Sequence, residues 1–238
     1  MGQAALQSNQ EISRRDVPMN YSRNLPIVAS ESALLFIDVQ NYCAHRHGAE
    51  FADLSPLEFN QYEWFFDSLV SHVVPNMQRL QESFRSVGIE VIYTTIESLT
   101  QDGRDRSLDY KITGFNVPKG SWDGRVIDQL KPSDDEIWLP KTSSSVFVST
   151  NIDYVLRNLN IRQLVISGLV TDQCVESAVR DACDLGYLVT LVTDACTTYS
   201  QERHDHSLSA IKGYCRQLTT DELLSEIQGS NEYRKEYR

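Results

Sequence analysis

The 238-residue chain is predicted to be an α/β protein with a doubly wound, mainly parallel six-stranded sheet and helices on both faces. Short apolar runs alternate with stretches of helical periodicity, which is typical of parallel strands connected by helices. Several runs are almost continuous in Leu, Ile and Val, as expected of strands buried on both faces. The length suits a single domain with a full hydrophobic core.

The elements follow from the same pattern. Five strands are predicted at 33–37, 89–93, 136–139, 164–167 and 188–192, and a short edge strand near 215–218. Helical spacing of apolar residues predicts helices at 58–87, 122–130, 151–159, 172–186 and 203–213. Residues 1–30 are polar and unpatterned, which predicts an N-terminal arm before one domain over 31–222 and a C-terminal tail over 223–238.

The bulk properties exclude several classes of protein. A net charge of −11 and a pI near 4.9 disfavour an extended nucleic-acid-binding face. The five cysteines form no CxxC pair, which favours reduced thiols over a disulfide framework or a zinc site. Neither a signal-peptide core nor a membrane-spanning run is present, so we expect a cytoplasmic protein without a membrane partner. No GxGxxG, Walker A or GxSxG motif supports a dinucleotide, ATP or serine-hydrolase function.

Two histidine pairs are candidate metal ligands. They are His45-x-His47 and His204-x-His206, and neither is accompanied by an evident acidic or third ligand. Residues two apart in a helix also diverge. We therefore expect surface histidines and no metal.

The segment GLVTDQCVESAVRDACDLG, residues 168–186, predicts a cysteine at the start of a helix. A strand leads into Gly168, a helix begins near Asp172, and Cys174 lies in its first turn. The unpaired N–H groups and positive end of a helix favour thiolate. Cys183 instead falls on the apolar stripe of the helix and is predicted to be a core residue.

Two further residues with suitable chemistry follow predicted strands. Asp38 ends the first strand and Lys141 ends the third, and in such sheets ligands bind beyond the carboxyl ends of the strands. A thiolate attacks carbonyl carbon, a carboxylate carries the proton, and a lysine keeps that carboxylate charged. The N–H groups of Thr171 and Cys174 suit an oxyanion hole. This combination predicts hydrolysis of a C–N bond through a thioester, against the alternatives of a buried filler cysteine, a helix-capping aspartate and a solvated lysine.

The segments around these residues resemble a known family. Residues 33–40, 140–147 and 168–175 are similar to the three signature segments of the isochorismatase-like cysteine hydrolases, and the resemblance covers about 32–220. It implies a triad of Asp38, Lys141 and Cys174, a cis peptide between Val170 and Thr171, and no cofactor. It also implies a homo-oligomer, either a tetramer or a dimer.

The branch of the family is indicated by two further features. Nicotinamidases carry metal-binding histidines after the second strand, and this chain has none in 97–106. The loop 97–111 resembles that of the ureido-group branch, which includes ureidoacrylate, biuret and triuret hydrolases. A small ureido or carbamoyl substrate that releases ammonia or an amine is therefore expected. Vinyl-ether hydrolysis of the isochorismatase type is the first alternative, and a non-enzymatic binding or redox-sensing role is the second.

The loop also supplies candidate substrate-binding residues. Arg104, Arg106 and Lys111 are cations whose geometry suits carboxylate or ureido oxygens. Gln40 and Glu97 suit a substrate N–H group. The alternatives remain open: a charged loop paired internally through its own aspartates, and purely structural roles for Gln40 and Glu97.

Overall fold

The computed structural model describes residues 22–236 and contains a sheet of six parallel strands. Their order across the sheet is β3-β2-β1-β4-β5-β6. The bounds are β1 Ser32–Ile37, β2 Glu90–Ile96, β3 Ile137–Lys141, β4 Gln163–Leu169, β5 Leu188–Thr197 and β6 Arg216–Leu218. The predicted fold class is confirmed, and the sixth strand lies at an edge as expected.

Ten α-helices connect or follow the strands within the described residues. They are α1 Asn41–Ala44, α2 Pro56–Phe59, α3 Glu63–Ser68, α4 Val74–Ser86, α5 Leu108–Thr113, α6 Val146–Ser149, α7 Ile152–Asn158, α8 Glu176–Asp184, α9 Gln201–Ile211 and α10 Thr220–Glu236. Wider π-helical turns lead into two of them, Leu69–Val73 before α4 and Thr171–Val175 before α8.

The chain reverses its direction of strand addition between β3 and β4. It adds β2 and β3 on one side of β1, then returns to place β4, β5 and β6 on the other. Right-handed crossovers in opposite directions put their helices on opposite faces of the sheet. β1 and β4 are buried along their whole length, and the point between them is where ligands bind in such sheets.

The helix predicted at 122–130 is wrong. Only its end forms a short 3₁₀ turn, at Asp128–Leu130. The preceding residues lie against the chain that follows β1: the Asn41 N–H donates to the Arg125 carbonyl at 2.9 Å, and the Ile127 N–H donates to the Val39 carbonyl at 3.1 Å. Because these bonds to a distant segment occupy the backbone, the helical ladder does not form.

The predicted C-terminal tail contains part of the core. Residues from Thr220 onward form α10, whose Leu223 and Ile227 side chains are buried. Helix α10 packs against α4 and β5. The predicted boundary at residue 222 therefore divides a helix.

The predicted N-terminal arm is described only in its last residues. Its residues 1–21 lie outside the described part of the chain, whereas Ile27 is buried and its N–H donates to Glu226. The Val28 N–H donates to Gln163 at the start of β4. Residues 26–28 are therefore attached to the amino-terminal edge of the sheet.

None of the helices in residues 22–236 combines the length and apolar character needed to cross a membrane. The structure describes a single chain, so the homo-oligomer stays a prediction.

Candidate active site

Asp38, Lys141 and Cys174 meet beyond the carboxyl ends of β1, β3 and β4. The Lys141 ammonium lies 2.8 Å from Oδ2 of Asp38 and donates to Sγ of Cys174 at 3.4 Å. It also donates to the carbonyls of Ser143 and Ser144, each at 2.9 Å. Lys141 is 0% exposed, Asp38 2% and Cys174 5%, so the three groups interact away from bulk water.

The backbone at the end of β1 directs the carboxylate. Asp38 has a left-handed φ of 51°, a conformation that aspartate tolerates better than most residues. Its N–H donates to the Thr94 carbonyl at 2.9 Å, and its Oδ1 accepts from Thr94 Oγ1 at 3.4 Å. Strand β2 therefore holds both the backbone and the side chain of Asp38.

Gly168 allows β4 to approach β1 closely. Its φ is 151°, and a Cβ there would lie 2.2 Å from the Ile37 carbonyl oxygen. Only glycine fits this contact without backbone movement. The close approach brings the segment that carries Cys174 next to the residue that follows Ile37, which is Asp38.

The cis peptide lies one bond earlier than predicted, between Leu169 and Val170. The expected bond, between Val170 and Thr171, already belongs to the first helical turn. The Val170 carbonyl accepts from the N–H groups of Gln173 at 3.1 Å and Val175 at 3.4 Å.

Thr171 is held in place by two side chains of α9. Its Oγ1 lies 2.9 Å from His204 Nδ1, and its carbonyl accepts from Ser207 Oγ at 3.2 Å. The prediction that His204 is a surface residue is wrong, because this contact buries it. The other three histidines of the two pairs are exposed, as predicted. Among the described residues, no group of three or more His, Cys, Asp or Glu could hold a metal ion.

Burial dominates the electrostatics of the thiol. It raises the pKa of Cys174 to about 12, although the Lys141 charge lowers it and the Asp38 charge adds to the rise. Burial therefore opposes the thiolate expected at the helix start, because loss of solvent outweighs the favourable charge. Cys183, predicted to be a core residue, is only half-buried on α8.

The same burial also acts on the pKa values of Asp38 and Lys141. Burial raises the pKa of Asp38, and Lys141 opposes this rise only in part. Burial alone would lower the pKa of Lys141, but the charges of Asp38 and Cys174 raise it above its ordinary value. A charged lysine thus lies beside a thiol and a carboxylate that is more basic than usual.

A cavity of about 410 Å³ opens onto these groups. This volume suits a small organic ligand. Burial raises the pKa of Tyr110, whose side chain lines the same cavity as Cys174 and Asp38. The cavity is lined by Asp38, Cys43, Glu50, Ile96, Asp109, Tyr110, Thr113, Phe115, Ser144, Leu169, Val170, Gln173, Cys174 and Tyr199.

Two of the predicted substrate-binding residues make hydrogen bonds to backbone groups: Gln40 and Arg106. The Gln40 amide donates to the carbonyls of Ile96 and Asp123 and accepts from the Ile96 N–H. Arg106 donates to the carbonyls of Gly103 and Phe115 at 2.8 and 2.7 Å. These hydrogen bonds to backbone favour the structural alternative for both residues.

The other three predicted substrate-binding residues do not line the cavity either: Glu97, Arg104 and Lys111. Glu97 accepts from the Gly120 N–H at 3.2 Å, and Arg104 pairs with Asp102 on the surface at 3.0 Å. Lys111 is exposed on α5. Helix α5 instead presents Tyr110 and Asp109 to the cavity.

Sequence reasoning missed Glu50, Tyr110 and Tyr199 as cavity residues. Tyr110 lies inside the loop 97–111, where the resemblance to the ureido-group branch gave a signal for it. Glu50 lies in a short 3₁₀ turn, and Tyr199 follows β5 without any motif. Only packing between distant segments brings these two together.

The chain matches a known protein family over most of its length. The isochorismatase domain model matches residues 32–222. The chain belongs to the isochorismatase family. This isochorismatase-family hydrolase is 28% identical over 213 residues to the ureidoacrylate amidohydrolase RutB of Rhizobium rhizogenes, covering 78% of this chain and 82% of the relative. Over 221 residues it is also 28% identical to RutB of Agrobacterium fabrum, covering 78% of this chain and 89% of that relative.

Solved structures of other hydrolases share the fold. A cysteine hydrolase from Pseudomonas syringae pv. phaseolicola superposes with a TM-score of 0.74 at 22% identity, covering 86% of this chain and 96% of that one. The N-carbamoylsarcosine amidase from Thermoplasma acidophilum gives a TM-score of 0.63 at 26% identity, covering 80% and 97%.

Proposed function

We propose that this isochorismatase-family hydrolase is a cysteine amidohydrolase that cleaves a C–N bond of a small ureido or carbamoyl compound. The observation that carries the proposal is the Lys141 ammonium, which contacts both the Cys174 thiol and the Asp38 carboxylate at the edge of the cavity. The names of its relatives, ureidoacrylate amidohydrolase and N-carbamoylsarcosine amidase, support the choice of substrate class. The residues of the site perform the reaction without a cofactor.

In the first half-reaction, Cys174 attacks the substrate carbonyl carbon. Its S–H proton passes to Asp38, whose raised pKa makes the carboxylate a stronger base than usual. An S–C bond forms, and the carbonyl electrons move onto oxygen. The C–N bond then breaks as Asp38 returns the proton to the leaving nitrogen, which departs as ammonia or an amine.

The charge on the intermediate is stabilised at the helix start. The N–H groups of Gln173 and Val175 are engaged by the Val170 carbonyl. We therefore retain the N–H groups of Thr171 and Cys174 as the oxyanion donors. Lys141 holds its charge beside the thiol throughout and stabilises the thiolate as it forms.

Water completes the cycle in the second half-reaction. Asp38 takes a proton from a water molecule whose oxygen attacks the thioester carbon. The S–C bond breaks, and the proton returns to sulfur, which restores the Cys174 thiol. The products are an acid and the amine or ammonia released earlier.

The test is hydrolysis of a panel by the wild-type protein and Cys174→Ala. The panel contains ureidoacrylate, biuret, triuret, N-carbamoyl amino acids, nicotinamide and isochorismate, scored for ammonia and pyruvate. We expect ammonia from a ureido or carbamoyl compound and a loss of at least about 1,000-fold in kcat/KM for Cys174→Ala, because no other nucleophile replaces the thiol.

Cys183→Ala is the matched control, because Cys183 lies on α8 outside the cavity. We expect it to retain activity. Intact-mass detection of an acyl adduct on Cys174 would show the thioester directly. Full activity of Cys174→Ala would overturn the mechanism, and pyruvate from isochorismate without ammonia release would favour the vinyl-ether reaction instead.

A further inference from the structure

Glu50 lines the same cavity as Asp38 and Cys174. Burial, Glu50, Asp38 and Cys174, in that order, raise the pKa of the Cys43 thiol. Cys43 lines this cavity as well, and its Sγ donates to the Asp38 carbonyl at 3.2 Å. Because the Cys174 thiol and the Glu50 carboxylate line one cavity of about 410 Å³, a small ligand at Cys174 can also contact Glu50.

The short turn that carries Glu50 is fixed at its start. A Cβ on Gly48 would lie 2.1 Å from the Tyr42 carbonyl oxygen and 2.3 Å from that of Asn41. The turn is thus pressed against α1, which follows Asp38 closely in the chain. The N–H of Ala49 also donates to Asp123 Oδ1 at 3.0 Å.

An aromatic cluster fixes the other end of the turn. Phe51 packs edge-on against Tyr62 and Phe66, with ring centroids 5.1 and 5.0 Å apart. The Tyr199 ring packs against Tyr62 and Phe65 at 5.2 and 5.3 Å. Glu50 is therefore a preorganised side chain rather than a mobile surface group.

The Tyr199 hydroxyl donates to one oxygen of Glu50, Oε1. Among the described residues, no hydrogen-bond donor reaches the other oxygen, Oε2. Burial raises the pKa of Glu50 to about 7, although the Tyr199 bond lowers it in part. Above that pH the cavity contains an ionised carboxylate with one free acceptor oxygen.

The other charges of the cavity have the same sign. Asp109 is acidic like Glu50, and no Arg, Lys or His occurs among the described lining residues. The ammonium of Lys141 is already paired with Asp38. A carboxylate on the substrate would therefore meet like charge, whereas an N–H group would meet an acceptor.

We propose that Glu50 determines specificity by accepting a hydrogen bond from an N–H group at the end of the substrate remote from the scissile bond. The site then prefers ureido compounds that end in a neutral or cationic nitrogen over those that end in a carboxylate. This inference rests on the proposed amidohydrolase function and narrows its substrate class. Ureidoacrylate, which gives the RutB relatives their name, carries a carboxylate and falls in the disfavoured group.

The test compares two pairs of probes at pH 8.5, where Glu50 is ionised. Biuret and triuret end in neutral amides, and N-carbamoylglycine and ureidoacrylate end in carboxylates. We expect the wild-type protein to show a kcat/KM at least about 10-fold higher for the better neutral probe than for the better anionic one. A hydrogen bond to a charged group is worth about 10- to 100-fold, so Glu50→Gln is expected to lower kcat/KM for the neutral probes by that factor, mainly through KM.

For the anionic probes we expect Glu50→Gln to leave kcat/KM unchanged or to raise it, because the repulsive charge is gone. Tyr199→Phe removes the bond to Oε1 and is expected to weaken the neutral preference less than Glu50→Gln does. Glu82→Gln is the matched control, because Glu82 is exposed on α4, outside the cavity. Melting temperatures of all variants separate misfolding from a change in specificity.

The outcomes distinguish this inference from the function on which it rests. Equal or better hydrolysis of the anionic probes by the wild-type protein would overturn the role of Glu50 and leave the amidohydrolase function standing. An equal loss on neutral and anionic probes in Glu50→Gln would do the same. If the wild-type protein releases ammonia from no panel compound, the proposed function itself fails.

Discussion

At the scale of single residues, the site depends on a buried ion pair. Lys141 and Asp38 are both removed from water, and each offsets the cost of burying the other. A buried pair adds little stability over apolar residues, but breaking it leaves an unpaired charge. Stability alone therefore does not explain the pair, which is consistent with the proton transfers proposed for Cys174.

Lys141→Met is expected to destabilise the fold by about 3–5 kcal/mol, because it leaves the Asp38 carboxylate buried without a cation. The double variant Asp38→Asn/Lys141→Met is expected to recover much of this loss. Both variants are expected to be inactive. Denaturant unfolding and ammonia release provide the two measurements.

Arg104→Met is the control for this comparison. The Arg104–Asp102 pair is exposed, with side chains 73% and 61% accessible, so we expect a change of less than about 1 kcal/mol. A Lys141→Met protein as stable as the wild type would contradict the account of the buried pair.

At the scale of elements, the approach of β4 to β1 is the feature that assembles the site. Gly168 pairs with Ile37 in the parallel register, and its missing side chain permits this distance. The same segment continues through Leu169 and Val170 into the turn that bears Cys174. Backbone spacing between two strands thus sets the position of Cys174 relative to Asp38.

Gly168→Ala is expected to separate these strands and lower the melting temperature by several degrees, because its methyl group would clash with the Ile37 backbone. We also expect a loss of at least about 100-fold in kcat/KM, since a shift of about 1 Å costs that much in a catalytic geometry. Calorimetry and ammonia release measure the two effects.

The control for this prediction is Gly213→Ala, because a Cβ at Gly213 has no neighbour within 4 Å. We expect Gly213→Ala to be neutral in stability and activity. Full activity of Gly168→Ala would show that the strand spacing does not set the geometry of the site.

At the scale of the whole molecule, the pH dependence of stability reports the burial of Glu50. Its pKa is about 7 in the folded chain and 4.5 as the ordinary value. Between these values the folded chain keeps the proton and the unfolded chain has lost it. The contribution of Glu50 to the free energy of unfolding therefore falls as pH rises from about 4.5 to 7.

The size of this contribution is about 3 kcal/mol at the quoted pKa values. Glu50→Gln removes this contribution. We therefore expect the free energy of unfolding of the variant to rise relative to that of the wild type as pH increases from about 4.5 to 7. Denaturant titrations at pH 5, 6, 7 and 8 measure the difference. Parallel profiles for the two proteins would contradict a raised pKa for Glu50.

Much of the fold and of the triad could be predicted because the signals are local. The run 164–167 is apolar enough to identify a buried strand, and it locates the turn to Cys174. Asp38 and Lys141 each follow a recognisable strand. In a parallel sheet the ends of such strands share one edge, so the convergence of the three residues follows from the pattern alone.

Features that depend on distant segments could not be predicted in this way. The residues at 122–127 have helical periodicity, but hydrogen bonds to the chain after β1 hold them as a loop. The amide of Gln40 was expected to bind a substrate N–H group, but it donates to the backbone carbonyls of Ile96 and Asp123. The competing partners in both cases lie far away in the sequence.

The sequence by itself determined the α/β class, the edge on which the chemistry lies and the three residues that meet there, because periodicity and strand ends are local properties. Only the tertiary structure decided that burial raises the pKa of the Cys174 thiol, and that the cavity contains Glu50 and Tyr199 rather than Arg104 and Lys111. Burial and contacts across the fold determine these features, and neither is encoded in any one segment.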